Sequence, residues 1–217
     1  MNKKVAILNQ KGGSGKTTLA TNIARAIQLE GNKVLIIDSD PQGSVRDWHA
    51  AWSTTNEDEY MPVIAMDRST LDKDIAAIDK TYEWVIIDGA PQISKLAAAA
   101  VKCADIVLIP TQPSPYDIWA CEDLVDIIKA RQNLMDGKPR AAFVISRTKK
   151  NTHASREIRE VLEQYGLPIF TSFTSDRIIY ASSASTGQTV LDIEPKGEAA
   201  KEIKNIVEEL RIFVESV

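Results

Sequence analysis

The fold of this chain is decided by three consecutive runs: VAIL at positions 5–8, KGGSGKTT at positions 11–18 and LATNIARAIQLE at positions 19–30. They predict a short buried strand, a glycine-rich loop and a helix, in that order. The glycines allow a tight turn with inward N–H groups, and these donors favour a polyphosphate at the helix N-terminus. In this context Lys16 would reach the β- and γ-phosphates of a nucleotide, and the Thr17 hydroxyl would ligate Mg²⁺.

Size and composition describe an ordinary globular protein. The chain has 217 residues, 44% hydrophobic and 26% charged, which predicts one α/β domain spanning residues 1–217. No apolar run approaches the roughly 18 residues of a membrane-spanning helix, and no signal-peptide pattern is present. Cys103 and Cys121 have no metal-site spacing, so we expect a reduced, cytoplasmic setting.

Short apolar runs alternate with helical stretches along the chain. Several runs are apolar throughout, as expected of strands that are buried on both faces. The alternation predicts a mostly parallel β-sheet flanked by helices, in which ligands bind at the carboxyl ends of the strands. The predicted strands are Val5–Leu8, Val34–Ile37, Val63–Met66, Val85–Ile87, Ile106–Ile109, Ala141–Ile145 and Pro168–Phe170.

Carboxylates follow two of these predicted strands. Asp38 and Asp40 come directly after the second strand, and Asp88 follows the fourth. An apolar strand that ends in Asp is the metal-orienting motif of phosphate-loop NTPases, so Asp88 would hold a water on Mg²⁺ or bond to Thr17. Without the glycine loop, these segments would be a proline–glycine turn and a plain strand end.

The glycine loop departs from the generic G-x-x-x-x-G-K-[ST] pattern, because Gln10 stands where the first glycine belongs. In place of that glycine a second lysine, Lys11, opens the loop. This form resembles the deviant Walker A loop of the ParA/MinD class of ATPases. Together with the DSDPQG segment at 38–43 and the Asp88 strand end, it makes the chain similar to the ParA family of DNA-partition ATPases. The similar form is the short one, without a preceding helix-turn-helix.

The resemblance implies an ATPase with the deviant P-loop NTPase fold, whose cofactors are ATP and Mg²⁺. Lys11 would reach across a nucleotide-sandwich dimer to the partner's ATP, Lys16 would bind the phosphates, and Asp40 would position the attacking water. Mg²⁺ would be held by Thr17, Asp38 and Asp88, with Asp38 acting through water. The residues expected to bind nucleotide are Lys11, Gly12, Gly13, Ser14, Gly15, Lys16, Thr17 and Thr18, with Ser146 and Arg147 at the adenine.

Two further loops have implied roles. Gly89 could expose its backbone N–H to the γ-phosphate and so sense hydrolysis. The segment from Ile109 to Asp117 contains three prolines, which stiffen it and keep it out of the sheet. It resembles the segment at the dimer face of the class, and the alternative is a plain rigid connector.

The net charge of −4 does not indicate nucleic-acid binding, but the charge distribution does. A basic band runs from Lys138 to Arg159, with Glu157 as its only acid, and such a band can bind a phosphate backbone. The residues expected to contact DNA are Lys149, Lys150, Arg156 and Arg177. For Arg177 the alternative is a salt bridge with Asp176 or Glu194.

The implied function is partition of a plasmid or chromosome. ATP and Mg²⁺ would close two copies into a homodimer, and the dimer would bind DNA through its phosphates without sequence preference. A separate centromere-binding partner protein would stimulate hydrolysis and release the DNA. Such a protein would be cytoplasmic and associated with the nucleoid.

Three other functions share this fold. The first is a membrane-associated positioning ATPase like MinD, which would need a final helix with a basic polar face. Acidic residues dominate that face here, so we predict a core-packed helix without membrane binding. An amide-forming ligase or dethiobiotin-type synthetase would need a carboxylate-substrate pocket. An iron–sulfur reductase would need cluster-ligating cysteines, whereas Cys103 and Cys121 are expected in helices.

Overall fold

The computed structural model describes residues 2–55, 60–78, 81–91, 95–148 and 153–215, with the backbone alone for residues 153–156. Strands and helices alternate along most of the chain. The strands are β1 (Lys3–Ile7), β2 (Val34–Asp38), β3 (Val63–Ala65), β4 (Trp84–Asp88), β5 (Ile106–Thr111) and β6 (Arg140–Ile145). The helices are α1 (Lys16–Leu29), α2 (Ser44–Thr55), α3 (Leu71–Ala76), α4 (Lys95–Cys103), α5 (Pro115–Trp119), α6 (Glu122–Leu134), α7 (His153–Glu163), α8 (Ile178–Ser185), α9 (Val190–Ile193) and α10 (Glu198–Glu215).

The six strands form one sheet in the order β3-β2-β4-β1-β5-β6, and every pairing is parallel. This confirms the predicted α/β fold. The register places Asp38 of β2 directly beside Asp88 of β4, and Asp88 beside Ile7 of β1. The glycine loop and the two carboxylates therefore meet at the carboxyl ends of the strands β1, β2 and β4.

The run Pro168–Phe170 is not a seventh strand, and this prediction was wrong. Its Ile169 makes only an isolated bridge to Phe143 of β6. The residue that follows this run, Thr171, donates its N–H to the Glu209 side chain at 2.7 Å instead of to a strand. A side chain of α10 thus ends the pairing after one bridge.

Helices cover both faces of the sheet. One face packs against α1, α2, α8, α9 and α10, and the other against α3 to α7. Strands β2, β4 and β5 are buried along their whole length. The apolar runs of the sequence are explained by this burial on both sides.

The final helix, α10, is packed into the core, as predicted. Its Ile203, Ile206, Val207 and Leu210 are at most 1% exposed. Glu202, which the sequence placed on the polar face, is also buried. Within the described ranges, no helix is both long enough and apolar enough to cross a membrane.

Candidate nucleotide-binding site

The glycine loop joins β1 to α1 and lines a cleft of about 440 Å³. Gly13 and Gly15 have φ of 76° and 100°, a left-handed conformation that side chains disfavour. Gly15 is the N-cap of α1, so the free N–H groups of the first turn face the cleft. Lys16 is buried, and its ammonium donates to the Lys11 carbonyl at 3.0 Å.

The Asp88 carboxylate lies beside the first turn of α1. The Thr17 hydroxyl donates to Asp88 Oδ2 at 2.7 Å, which is one of the two arrangements predicted for Asp88. Burial raises the pKa of Asp88 to about 7; the Thr17 bond acts in the opposite direction, and nearby Asp38 raises the pKa further. Burial lowers the pKa of Lys16, whereas Asp88 and Asp40 favour its charged form.

These residues fit a Mg²⁺ ion. Asp88 Oδ1 is buried without a hydrogen-bond partner among the described residues, and it lies on the carboxylate that holds the Thr17 hydroxyl. Oxygen ligands of this kind suit Mg²⁺, which keeps several waters and binds substrate phosphates. In the described part of the chain, no three or more His, Cys, Asp or Glu side chains form a metal-holding group by themselves. Phosphate oxygens and waters would supply the remaining ligands of an ion held there.

Asp38 is fully buried, and its hydrogen bonds hold both of its oxygens. Oδ2 accepts from the backbone N–H and the Nε of Arg46, at 3.1 and 3.2 Å, and Oδ1 accepts from the Asp40 N–H at 3.1 Å. Burial raises the pKa of Asp38, and these bonds act against the rise. Because its oxygens already have donors, the geometry agrees with an indirect role through water. The sequence analysis missed Arg46, since its spacing from Asp38 carries no signal of its own.

Asp40 lines the same cleft as the glycine loop. It is 8% exposed, and its Oδ1 accepts from the Gln42 N–H at 2.9 Å. Asp40 also lines a second cavity of about 350 Å³, together with Pro41, Asp67 and Lys95. One carboxylate therefore faces both the nucleotide cleft and the adjoining cavity.

Gly89 does not have the free N–H that was expected. Its N–H donates to the Ile7 carbonyl at 3.1 Å, so it is unavailable to a phosphate in this conformation. A Cβ at this position would lie 2.2 Å from Leu8 Cδ2 and 3.0 Å from the Ile7 oxygen. Close approach of β1 explains why glycine stands here.

Lys11 points away from the cleft that its own loop forms. The described cleft lining includes Gly12, Gly13 and Lys16 but not Lys11. The Lys11 ammonium lies 2.5 Å from Oδ2 of Asp117, a residue of α5 that is 1% exposed. The proline-containing segment before α5 also contacts the loop, because Gln112 Nε2 donates to the Gly13 carbonyl at 2.6 Å.

The other end of the cleft is formed by residues 146–147 and 174–177. The Ser146 hydroxyl donates to the Ser14 carbonyl at 2.7 Å, so the predicted adenine position touches the glycine loop. Arg147 has a φ of 51° and lies 3.7 Å from Asp176. Arg177 is ion-paired with Glu202 at 3.0 Å, so its partner is neither of the two acids proposed from the sequence.

The residues expected to contact DNA are only partly described. Lys149 and Lys150 lie outside the described residues, as does the side chain of Arg156. Arg140 begins β6 and Arg147 follows the end of that strand, so these two members of the basic band are about 20 Å apart and do not adjoin. The Arg140 guanidinium donates to the Phe213 carbonyl, and Arg159 donates to the Phe170 carbonyl.

With this geometry established, comparison with known proteins identifies the family. The model of the CobQ/CobB/MinD/ParA nucleotide binding domain matches residues 5–190, and the chain belongs to this family. It is a P-loop ATPase of the CobQ/CobB/MinD/ParA family.

Three relatives indicate the range of this family. The chain is 29% identical, over 95% of both sequences, to the maintenance of carboxysome distribution protein A of Halothiobacillus neapolitanus. It is 24% identical to the chromosome-partitioning ATPase Soj of Thermus thermophilus, over 98% of this chain and 97% of Soj. Its fold matches the septum site-determining protein MinD of Pyrococcus horikoshii, complexed with Mg-ADP. The TM-score is 0.76 and the identity 17%, over all of both chains.

Proposed function

We propose that this chain is a positioning ATPase that is switched by its nucleotide. ATP and Mg²⁺ close two copies into a homodimer, and the dimer binds DNA without sequence preference. A partner protein carried by the cargo stimulates hydrolysis, which opens the dimer and releases the DNA. The ATPase is cytoplasmic and associated with the nucleoid, and the cargo is a plasmid, a chromosome or a large protein assembly.

The observation that carries this proposal is the position of Lys11. A lysine used only for the chain's own nucleotide would turn into the cleft, as Lys16 does. Lys11 is instead held at the rim by Asp117, and its side chain is 40% exposed. From that position the Lys11 ammonium can leave Asp117 and bind a phosphate of the nucleotide held by a second copy, because a polyphosphate carries more negative charge than one carboxylate.

Dimerisation explains how an acidic protein could bind DNA. If each copy makes three or four phosphate contacts, doubling them steepens the dependence of affinity on salt from a slope of about −3 to about −6. Weak contacts that are negligible on a monomer become effective on a dimer. The contacts that we assign to DNA are Lys149, Lys150 and Arg156, with Arg177 secondary because of its ion pair with Glu202.

The relatives support cargo positioning in general terms. One relative maintains the distribution of carboxysomes and another is a chromosome-partitioning ATPase, and each matches nearly the whole chain. Membrane attachment of the MinD kind is a weaker candidate. Ile203, Ile206, Val207 and Leu210 of α10 are buried in the core with α1 and the sheet, so the helix would have to leave the core for these residues to bind lipid.

The decisive experiment measures binding to a random-sequence DNA duplex with ATP, with ADP and without nucleotide, at two salt concentrations. Binding only with ATP, falling steeply with salt, is the expected result. Light scattering on the same samples should show a dimer only with ATP. An absence of DNA binding in every state would refute the DNA-bound switch, and vesicles of anionic lipid would then test membrane attachment.

Two variants separate the parts of the proposal. Lys11→Ala should retain ADP but fail to dimerise with ATP, because the Lys11 side chain does not line the cleft that holds the chain's own nucleotide. Reversal of Lys149 and Lys150 to Glu should weaken DNA binding at least tenfold while ATP-dependent dimerisation stays intact. Unchanged DNA binding in that double variant would move the DNA contact to another face.

A further inference from the structure

A single buried carboxylate holds one wall of the cleft. Glu202 of α10 is 8% exposed and accepts five hydrogen bonds from three residues. Oε1 accepts from Ser175 Oγ at 2.7 Å and from two guanidinium nitrogens of Arg177 at 3.0 and 3.1 Å. Oε2 accepts from the Ser175 N–H at 2.9 Å and from the Tyr180 hydroxyl at 3.0 Å.

All three donors line the nucleotide cleft, whereas Glu202 is not among the described lining residues. The same wall is joined to the end of β6 by backbone bonds. The Thr148 N–H donates to the Thr174 carbonyl at 3.0 Å, and the Asp176 N–H donates to the Thr148 carbonyl at 3.1 Å. The wall that Glu202 holds is therefore continuous with Ser146 and Arg147, where the base is expected.

We propose that Glu202 is a positioning residue for the nucleoside half of the bound nucleotide. By fixing Ser175, Arg177 and Tyr180 before the ligand arrives, it shapes the wall against which base and ribose lie. This inference rests on the proposed orientation of ATP, with its phosphates on the glycine loop. Preorganisation of this kind raises affinity, because the ordering cost is met during folding and not on binding.

The ionisation of Glu202 supports this role. Burial acts to raise its pKa, but the bonds from Ser175, Arg177 and Tyr180 outweigh burial and hold the pKa below its usual value. The side chain is thus a carboxylate at neutral pH, and bonds to a charged acceptor are stronger than neutral ones. A glutamine here would turn an N–H towards one set of these donors.

Glu209 provides a matched control on the same helix. Its carboxylate accepts from the Thr171 N–H at 2.7 Å, the Thr171 hydroxyl at 3.1 Å and the Ser172 N–H at 2.8 Å. It therefore anchors the same segment to α10, a few residues earlier. Neither Thr171 nor Ser172 is among the described residues of the cleft lining. If Glu202 only stabilised the fold, replacement of Glu202 and replacement of Glu209 would have the same effect on ligand binding.

The test compares the affinities for Mg-ADP and for Mg-pyrophosphate, measured by titration calorimetry on the full chain. For Glu202→Gln we expect the Kd for ADP to rise about tenfold, and the Kd for pyrophosphate to stay within about twofold. Glu209→Gln should change neither. A change in the folded fraction of a variant affects its Kd values for ADP and for pyrophosphate equally, so the change cancels in their ratio.

Steady-state kinetics give a second readout. Glu202→Gln should raise the KM for ATP and leave kcat unchanged, because binding and not the transfer step is affected. Tyr180→Phe removes one donor to Glu202 and keeps the ring. It should raise the Kd for ADP about threefold with no effect on pyrophosphate.

Three results would overturn the inference: unchanged ADP affinity in Glu202→Gln, an equal loss of both ligands, or the same ADP loss in Glu209→Gln. If Glu202→Gln does not fold, Tyr180→Phe decides, and an unchanged ratio in that variant overturns the inference. Failure of the wild type to bind either ligand would refute the nucleotide site itself, which is a different outcome.

Discussion

The two halves of the nucleotide cleft are constructed differently. The phosphate half is lined by one contiguous loop. Asp38 and Asp88 lie side by side on adjacent parallel strands, and Asp88 accepts a hydrogen bond from Thr17 of that loop. The proposed nucleoside half consists of residues 146–147, which follow β6, and residues 174–177, of which Ser175 and Arg177 are held by Glu202 of α10. A phosphate site can therefore be formed by residues of one loop and of adjacent strands, whereas the proposed base site depends on the packing of a distant helix.

The largest expected effect is in the phosphate half. Lys16→Ala removes the only described lysine that lines the nucleotide cleft, so Mg-ADP and Mg-pyrophosphate affinity should both fall at least a hundredfold. Titration calorimetry measures both. Lys201→Ala, an exposed lysine of α10 paired with Glu198, is the control and should bind as the wild type does. Normal affinity in Lys16→Ala would show that the phosphates bind elsewhere.

The next effect concerns hydrolysis alone. Asp40→Ala should lower kcat about a hundredfold, since orientation of the attacking water contributes on that order, while Mg-ADP affinity and ATP-dependent dimerisation persist. Phosphate release at saturating ATP measures the rate. Asp105→Ala, at the opposite edge of the sheet beside Lys4, should leave the rate unchanged. Full turnover in Asp40→Ala would assign the water to another group.

A third expected effect is a difference in pH dependence between the halves. Folding raises the pKa of Asp88 from 3.8 to about 7, so the nucleotide-free protein should lose stability as pH rises from 4 to 7, by at most about 1.4 kcal/mol per pH unit. Folding lowers the pKa of Glu202 from 4.5, so its contribution is present above that pH and is lost as pH falls through the folded value.

Urea unfolding of the wild type, Asp88→Asn and Glu202→Gln between pH 3 and 8 measures these opposite signs. The wild type should become less stable relative to Asp88→Asn as pH rises towards 7. Its advantage over Glu202→Gln should shrink below pH 4.5. Mg-ADP should reduce the Asp88 effect, because the cation stabilises the ionised carboxylate. If the stability contributions of Asp88 and Glu202 changed in the same direction with pH, the contrast between the halves would be wrong.

Sequence patterns predicted the sheet well, and the glycine loop and Asp40, which they singled out, line one cleft in the structure. Five apolar runs lie inside or nearly inside their observed strands, and the short third run, Val63–Met66, overlaps the observed β3. Burial on both faces demands such runs, so the pattern has a direct physical cause. Pro168–Phe170 was assigned wrongly, because composition cannot show that Glu209 takes the next backbone N–H.

Long-range contacts were beyond sequence reasoning. Asp117 holds Lys11, and Glu202 pairs with Arg177. The excess of acidic residues on α10 correctly predicted core packing, but Glu202 is buried and Glu209 is only half-exposed. Both bind the segment 171–177. The sequence does not indicate which distant hydrogen-bond donor a charged side chain on a helix will contact.

By itself, the sequence determined a P-loop ATPase: the order strand, glycine loop and helix, the aspartates at strand ends and the apolar strands. These features depend on neighbouring residues and on register between parallel strands, both of which follow from short-range sterics and burial. Only the tertiary structure decided where Lys11 points, why Gly89 lacks a side chain and how α10 holds the nucleoside wall. These depend on pairs of residues that the chain separates widely and only packing brings together.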